Sequence, residues 1–438
     1  MTAWPMRSLT EIEDIGERIY AFARSLYPLC RSITGDGVRR TLAAVGEHLP
    51  LDVHEVPTGT AVFDWTVPNE WNIREAWIKD PEGRKIVDFA DCNLHVLNYS
   101  IPVHERLALA ELRPHLISLP EQPDLIPYRT SYYRETWGFC LPHRQLESLA
   151  DGQYEVFIDS TLEPGHLSYG ELVLPGGTEE EVLITAHVCH PSLANDNLSG
   201  IGLLTFLAAE LAKIRHRYTY RFLLIPGTIG SITWLARNED RTDRIRHGLV
   251  LSCLGDGGGP TYKASRRGDA AVDRAARHVL TSHFAAPRLE PFSPYGYDER
   301  QFCSPGFDLP MGLLERSKYG EFPEYHTSAD NLDFISAAHL EESFRMIVRI
   351  LDVLENDATY VSSNPKCEPQ LGKRGLYQAI GGDKDAARKQ MAMLWALNLA
   401  DGEHSVLDMA ERAGIPFGIM ADTCKILEDA DLIRGRGD

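Results

Sequence analysis

Apolar residues recur at helical spacing over residues 8–28 (Ile12, Ile15, Ile19, Phe22, Leu26), which predicts a helix with one buried face. A second helix is predicted after the GDG of residues 35–37, running to about His48. From about 60 to 175 the texture changes. Short apolar runs (WIKD, KIVDF, LHVLNY, TWGFCL, YEVFIDS, GELVLPGG) alternate with Pro, Gly and Asn, the pattern of a β-rich module. From 181 to about 356 strands and helices alternate. EVLITA, RFLLIP and GLVLSCL read as buried strands; LSGIGLLTFLAAELAKI, 273–284 and 337–355 read as helices. That alternation predicts an α/β sheet with helices on both faces. The linker VSSNPKCEPQLGKRG follows, then three helical stretches at 389–398, 405–413 and 417–430, spaced as in a helix-turn-helix or winged helix.

With 438 residues, two to four domains are expected. The net charge of -19 argues against a nucleic-acid partner, which attracts basic surfaces. The C-terminal module repeats the argument: from residue 370 onward it has nine Lys/Arg against eleven Asp/Glu. Its expected role is a homo-oligomer or intrachain contact. The N-terminus has no charged segment followed by an apolar one, so no signal peptide is expected. No apolar run approaches the ~18 residues of a membrane span. None of the eight cysteines forms a C-x-x-C pair, so a reducing, cytoplasmic setting is expected.

Candidate chemistry concentrates in EVLITAHVCHPSLANDNLSGIG. His187 falls at the carboxyl end of a buried strand, and Asp196 falls in a polar turn before a Gly-bearing helix. Ligands of open α/β sheets gather at that end of the strands, and one imidazole with one carboxylate there begins a zinc site. His190, followed by Pro191, is a weaker candidate ligand and is expected rather to orient the loop. His326 lies in EFPEYHTSADNLDFIS, before a helix starting at about 336. There is no H-E-x-x-H, G-x-x-x-x-G-K-[ST] or G-x-S-x-G motif, which sets aside the corresponding protease, nucleotide and serine-hydrolase chemistries.

Together these two segments resemble the M28 zinc-aminopeptidase fold. Over nearly its full length the chain is similar to the DUF4910 aminopeptidase-like proteins, through FDWTVPNEWNIREAWIKD, NLHVLNYSIPV, TSYYRETWGFCL, CHPSLANDNLSG, DERQFCSPGFDLP, PEYHTSAD and CEPQLGKRGLY. The resemblance implies a zinc-aminopeptidase-like (phosphorylase/hydrolase-like) mixed sheet flanked by helices. It divides the chain into a discontinuous peptidase-like domain (1–55 and 176–360), an inserted β-rich domain (56–175) and a winged helix (366–438). It places the metal on His187, Asp196 and His326, with Asp256 as a further candidate ligand.

Where the family pattern reads P-E-T-I-G-S, this chain reads PGTIGS, so Gly227 stands at the place of the catalytic glutamate. Thr228 offers no carboxylate for a second metal, so one zinc is expected. Glu324 or Glu299 is then the candidate base. The DERQF segment matches the superfamily's substrate loop, which makes Asp298 a candidate substrate contact along with Tyr325. Arg266, Arg267, Arg316 and Lys318 are basic residues near the expected mouth, of which Arg267 and Arg316 are the candidates to meet a substrate carboxylate. Two functions stay open: a zinc-dependent aminopeptidase-like hydrolase of a small peptide or amide, and a non-catalytic metal-binding scaffold on the same fold.

Overall fold

A computed structural model describes residues 5–376 and 386–436. Residues 1–4, 377–385 and 437–438, which include Tyr377 of the GKRGLY motif, lie outside the described residues. The chain divides into two compact units. One comprises Ile12–Ala270 and Arg288–Phe344, the other Met1–Glu11, Ala271–Pro287 and Arg345–Asp438.

The first unit is built on an eight-stranded mixed sheet. Its centre is the strand Glu181–His187, buried along all seven residues. Parallel strands Thr219–Ile225 and Ile245–Leu251 flank it. Burial on both faces explains why EVLITA and RFLLI are continuous apolar runs rather than alternating ones. The helix Gly200–Leu211 is apolar all round because it is almost wholly buried. At Gly202 a Cβ would come within 2.8 Å of Ile19 Cγ2 on the helix Ile15–Leu26, so glycine is what lets the two helices approach.

A second, antiparallel sheet orders its strands as Lys85–Asp88, Glu70–Lys79, Gln153–Glu163 and Val103–Ala108. Tyr154, Val156 and Ile158 alternate inward with period two and pack with Ala76, Ile78 and Phe139. The strand His166–Leu174, inside the 56–175 segment expected to be the β-rich insert, pairs with Asp52–Pro57 and with Thr219–Ile225 in the eight-stranded sheet.

His247, on the flanking strand Ile245–Leu251, is buried in a T-shaped contact with Tyr218, and its Nδ1 has no hydrogen-bond partner among the described residues. Burial pushes its imidazole down to about 4. The folded value lies below the ordinary one near 6.5, so the stabilisation is present above pH 6.5 and is lost as pH falls toward 4. The expected loss is about 3 kcal/mol. Urea denaturation at pH 7 and pH 4.5 tests this: His247→Phe should shrink the pH dependence relative to wild type.

In the second unit, Asp401–Ser405, Thr359–Ser362 and Ile433–Gly435 form a three-stranded antiparallel sheet. Helices Ala386–Leu399, Val406–Ala413 and Phe417–Asp429 accompany it. Ser405 and Asp408 close a capping box at the start of the middle helix. Gly414, with φ 61, ends that helix in the left-handed conformation that glycine adopts without strain. The cysteine side chains form no disulfide. No helix among the described residues is long and apolar enough to cross a membrane.

Candidate active site

The strand Glu181–His187 delivers His187 at its carboxyl end, and the chain then turns through CHPSLANDNLS before the helix Gly200–Leu211 begins. The turn is held from two sides. Arg31, 1% exposed, donates from Nε to the His190 carbonyl and from Nη2 to the Pro191 carbonyl, each at 2.7 Å. Asp330, also buried, accepts from the backbone N–H groups of Asn195 (2.6 Å) and Asp196 (3.0 Å). Burial pushes the Asp330 carboxyl up to about 8.

Asp196 is the hub. His187 Nε2 donates to its Oδ1 at 2.8 Å, and His326 Nε2 to its Oδ2 at 3.0 Å. The Tyr297 hydroxyl donates to Oδ2 at 2.9 Å. His190 Nδ1 stands 3.7 Å from Oδ1. Burial alone would raise the Asp196 carboxyl, but His190, His187 and His326 outweigh it and hold it well below the usual range. His326 sits at φ 54, a conformation that costs a non-glycine residue about 1–3 kcal/mol and that gathers at functional sites. Its ring stacks on Tyr325 at 3.9 Å and meets the edge of Tyr128 at 5.0 Å.

The structure brings His190, the weaker candidate of the sequence reading, to the same hub. Its Nδ1 is buried without a hydrogen-bond partner among the described residues. Burial pushes the imidazole well below its usual value, which leaves it neutral, the form that binds metals. His187, His190 and Asp196 offer ligand atoms all within 4.8 Å of one another. Three imidazoles around one carboxylate are a donor set that suits a divalent zinc ion, and the orphaned Nδ1 has no other evident use. The signal was present in the sequence as two histidines three residues apart at a strand end.

Asp256 is buried away from this hub. Its Oδ2 accepts from Asn195 Nδ2 at 2.8 Å, and its Oδ1 from Ser317 Oγ and Gly258 N–H, each at 2.6 Å. It thus grips the residue preceding Asp196. Glu299 Oε1 accepts from the buried Lys263 ammonium at 2.7 Å. Glu324 is half-buried, and among the described residues only its carbonyl takes hydrogen bonds, from Thr327. Arg266 and Arg267 pair with Asp308, Arg316 with Glu342, and Lys318 with Glu290. The Tyr325 hydroxyl meets that of Tyr297 at 3.0 Å.

Asp298 has a different position. It is fully buried, accepts from Ser231 Oγ at 2.8 Å through Oδ1, and leaves Oδ2 without a partner among the described residues. Burial raises its carboxyl. A Cβ placed on Gly227 would lie 3.4 Å from Asp298 Oδ2 and 3.4 Å from His187 Cβ. The free oxygen therefore borders the slot that glycine leaves open. A cavity of about 300 Å³ contains His187, His190, His326, Gly227 and Tyr297 in its wall, together with Tyr128, Arg129 and Tyr132. Arg129, which sequence reasoning did not single out, lines that wall, with Nη1 donating to the Tyr128 carbonyl at 2.9 Å.

Comparison with known proteins gives the family and the fold. The DUF4910 family model matches residues 20–357 and a winged helix-turn-helix model matches 358–435. A protein of Clostridium acetobutylicum, whose name assigns it to polysaccharide biosynthesis and gives it an aminopeptidase-like domain, is 50% identical over 404 residues, covering 92% of this chain and 93% of that one. The crystal structure of a C. acetobutylicum protein classed as a peptidase superposes with a TM-score of 0.92 at 46% identity, covering 98% of both chains. At fold level, a zinc aminopeptidase from Bacillus subtilis gives a TM-score of 0.55 at 15% identity, covering 77% of this chain and 94% of its own. An M28 peptidase precursor from Shewanella amazonensis gives 0.56 at 14%, covering 80% and 97%. The chain thus belongs to the DUF4910 family, with a zinc-aminopeptidase fold followed by a winged helix-turn-helix domain.

Proposed function

We propose that this chain is a metal-dependent hydrolase acting on a small peptide or amide, with one zinc ion held by His187, Asp196 and His326, and His190 beside them. The observation that carries the proposal is the convergence of three imidazoles on one buried carboxylate at the carboxyl end of the central strand. Zinc bound there supplies a Lewis acid for the scissile carbonyl. Tyr297 keeps Asp196 oriented through its hydroxyl. Asp298, with its free oxygen at the Gly227 slot, is the carboxylate best placed to accept a proton, ahead of Glu299, which Lys263 holds. Arg129 offers a cation for a substrate carboxylate, and Tyr128 and Tyr132 line the same cavity. A reducing, cytoplasmic setting suits the unpaired thiols.

Gly227 itself favours a second reading, a scaffold that keeps the fold and the metal but not the turnover. A screen of aminoacyl and peptide amides with zinc-loaded protein separates the two. Turnover by wild type that Asp298→Asn abolishes supports the hydrolase. Turnover that appears only in Gly227→Glu supports the scaffold. A chain that holds no zinc after growth and assay with the metal added would sink both.

A further inference from the structure

A second cavity, of about 370 Å³, is lined by Phe63, Asp64, Trp65, Glu239, Gln301, Ser304 and Phe307, among others. Phe63 and Asp64 are the two-residue turn between the short strands Ala61–Val62 and Trp65–Thr66. Val62, fully buried, anchors that hairpin in the core cluster that contains Ile232 and Leu235. The turn nevertheless holds two large rings out in solvent: Phe63 is 55% exposed and Trp65 47%. Phe63 does so at φ 54, where two-residue turns ordinarily use Gly, Asn or Asp and where a bulky residue is strained. Its ring approaches Phe307 at 5.8 Å, and Trp65 approaches the exposed Tyr133 at 5.6 Å.

The polar groups beside these rings are unspent. Among the described residues, the side chains of Asp64, Glu239, Gln301 and Ser304 make no hydrogen bond or ion pair. Two carboxylates, an amide and a hydroxyl both accept and donate. No lysine, arginine or histidine lines the cavity, so phosphate, nucleotide and uronate ligands meet repulsion without a counter-charge. Rings open to solvent make a platform rather than the enclosing cage that a quaternary ammonium takes. The ligand that matches an apolar platform rimmed with mixed donors and acceptors has one face of C–H groups and an edge of hydroxyls.

We infer that this cavity is a binding site for a neutral pyranose sugar, stacked on Trp65 and Phe63, with its hydroxyls on Asp64, Glu239, Gln301 and Ser304. The site adjoins the proposed centre through shared elements. Ile232 and Leu235 lie on the helix that follows Thr228, and Gln301 lies on the turn that follows Asp298. Sugar binding does not depend on catalysis there.

The test uses the full chain, tryptophan fluorescence and saturation-transfer NMR. The probes are a neutral methyl pyranoside and its oligosaccharide, the matching uronate, and tetramethylammonium. The neutral sugars should bind, more tightly than the uronate. Trp65→Ala should weaken them about tenfold, the loss of one aromatic contact. Phe63→Gly should also weaken them while raising thermal stability, because it relieves the strained turn. That opposition separates a binding role from a structural one. No sugar binding, uronate binding as tight as the neutral sugar, preference for tetramethylammonium, or affinity unchanged in Trp65→Ala would each overturn the inference.

Discussion

Gly227→Glu should raise turnover of a peptide or amide substrate, by up to the about 10²–10⁴-fold that a positioned general base contributes, to the extent that the buried Asp298 serves that role poorly in wild type. The slot accepts a side chain. A Cβ at this position meets Asp298 Oδ2 and His187 Cβ at 3.4 Å, ordinary van der Waals contact, and meets no backbone atom more closely. The backbone there is not in the left-handed region, so no strain is added. A new carboxylate beside Asp298 places two like charges together, which pushes one of them toward its protonated form. Asp298, already raised by burial, is the one expected to hold the shared proton. The cost in stability should stay within about 0.5–3 kcal/mol, read as a modest fall in Tm. Gly227→Ala fills the same space without a carboxylate and should give no gain. Steady-state kcat and KM on wild type and both variants decide the matter. The gain should appear in kcat, since the new group acts on proton movement rather than on binding. Equal turnover by the alanine and glutamate variants would mean that space, not basicity, limits the site.

How far this site could be read from sequence depended on which physical signal each residue carried. His187 and Asp196 were readable because a buried strand leaves a plain apolar run and its end is where ligands collect. The helical repeats at 337–355 and 417–430 were equally plain, and the observed helices Ala337–Asn356 and Phe417–Asp429 differ from them by a residue at most. Side-chain direction was not readable. Asp298 and Glu299 are neighbours at a helix start, where successive side chains diverge by about 100°. One oxygen of Asp298 ends at the Gly227 slot and Glu299 ends on Lys263, and no local pattern distinguishes them. Asp256 follows a strand end as a ligand would, but Asn195, Gly258 and Ser317 had already claimed its oxygens. Arg31 lies in CRSITGDG, whose polar Ser/Thr/Gly pattern reads as a turn between two helices. It is buried because three carbonyls, of Leu26, His190 and Pro191, take its donors, a compensation visible only in three dimensions.

Asp196→Asn should abolish most of the stabilisation that zinc confers while leaving the metal-free protein folded. The carboxylate gathers His187, His326 and Tyr297 directly and His190 at 3.7 Å, so it is the one anionic donor at the hub. An amide keeps the shape but not the charge. Outer-layer partners of metal ligands are worth about 10–100-fold in affinity, so losing a direct anionic ligand should cost at least about 100-fold. At zinc about 1,000 times the wild-type Kd, binding stabilises the wild-type fold by about 4 kcal/mol, and a hundredfold weaker site retains only about 1.4 kcal/mol. Thermal denaturation with zinc and with a chelator reads the difference. The gap between the two curves should be wide for wild type and narrow for Asp196→Asn. Asp256→Asn supplies the discriminating control. Its carboxylate supports Asn195, the Gly258 N–H and Ser317, so its loss should lower both curves together and leave the gap between them intact. If Asp256→Asn instead narrowed the gap as much as Asp196→Asn, Asp256 would have to reach the metal, and the ligand set centred on Asp196 would be wrong.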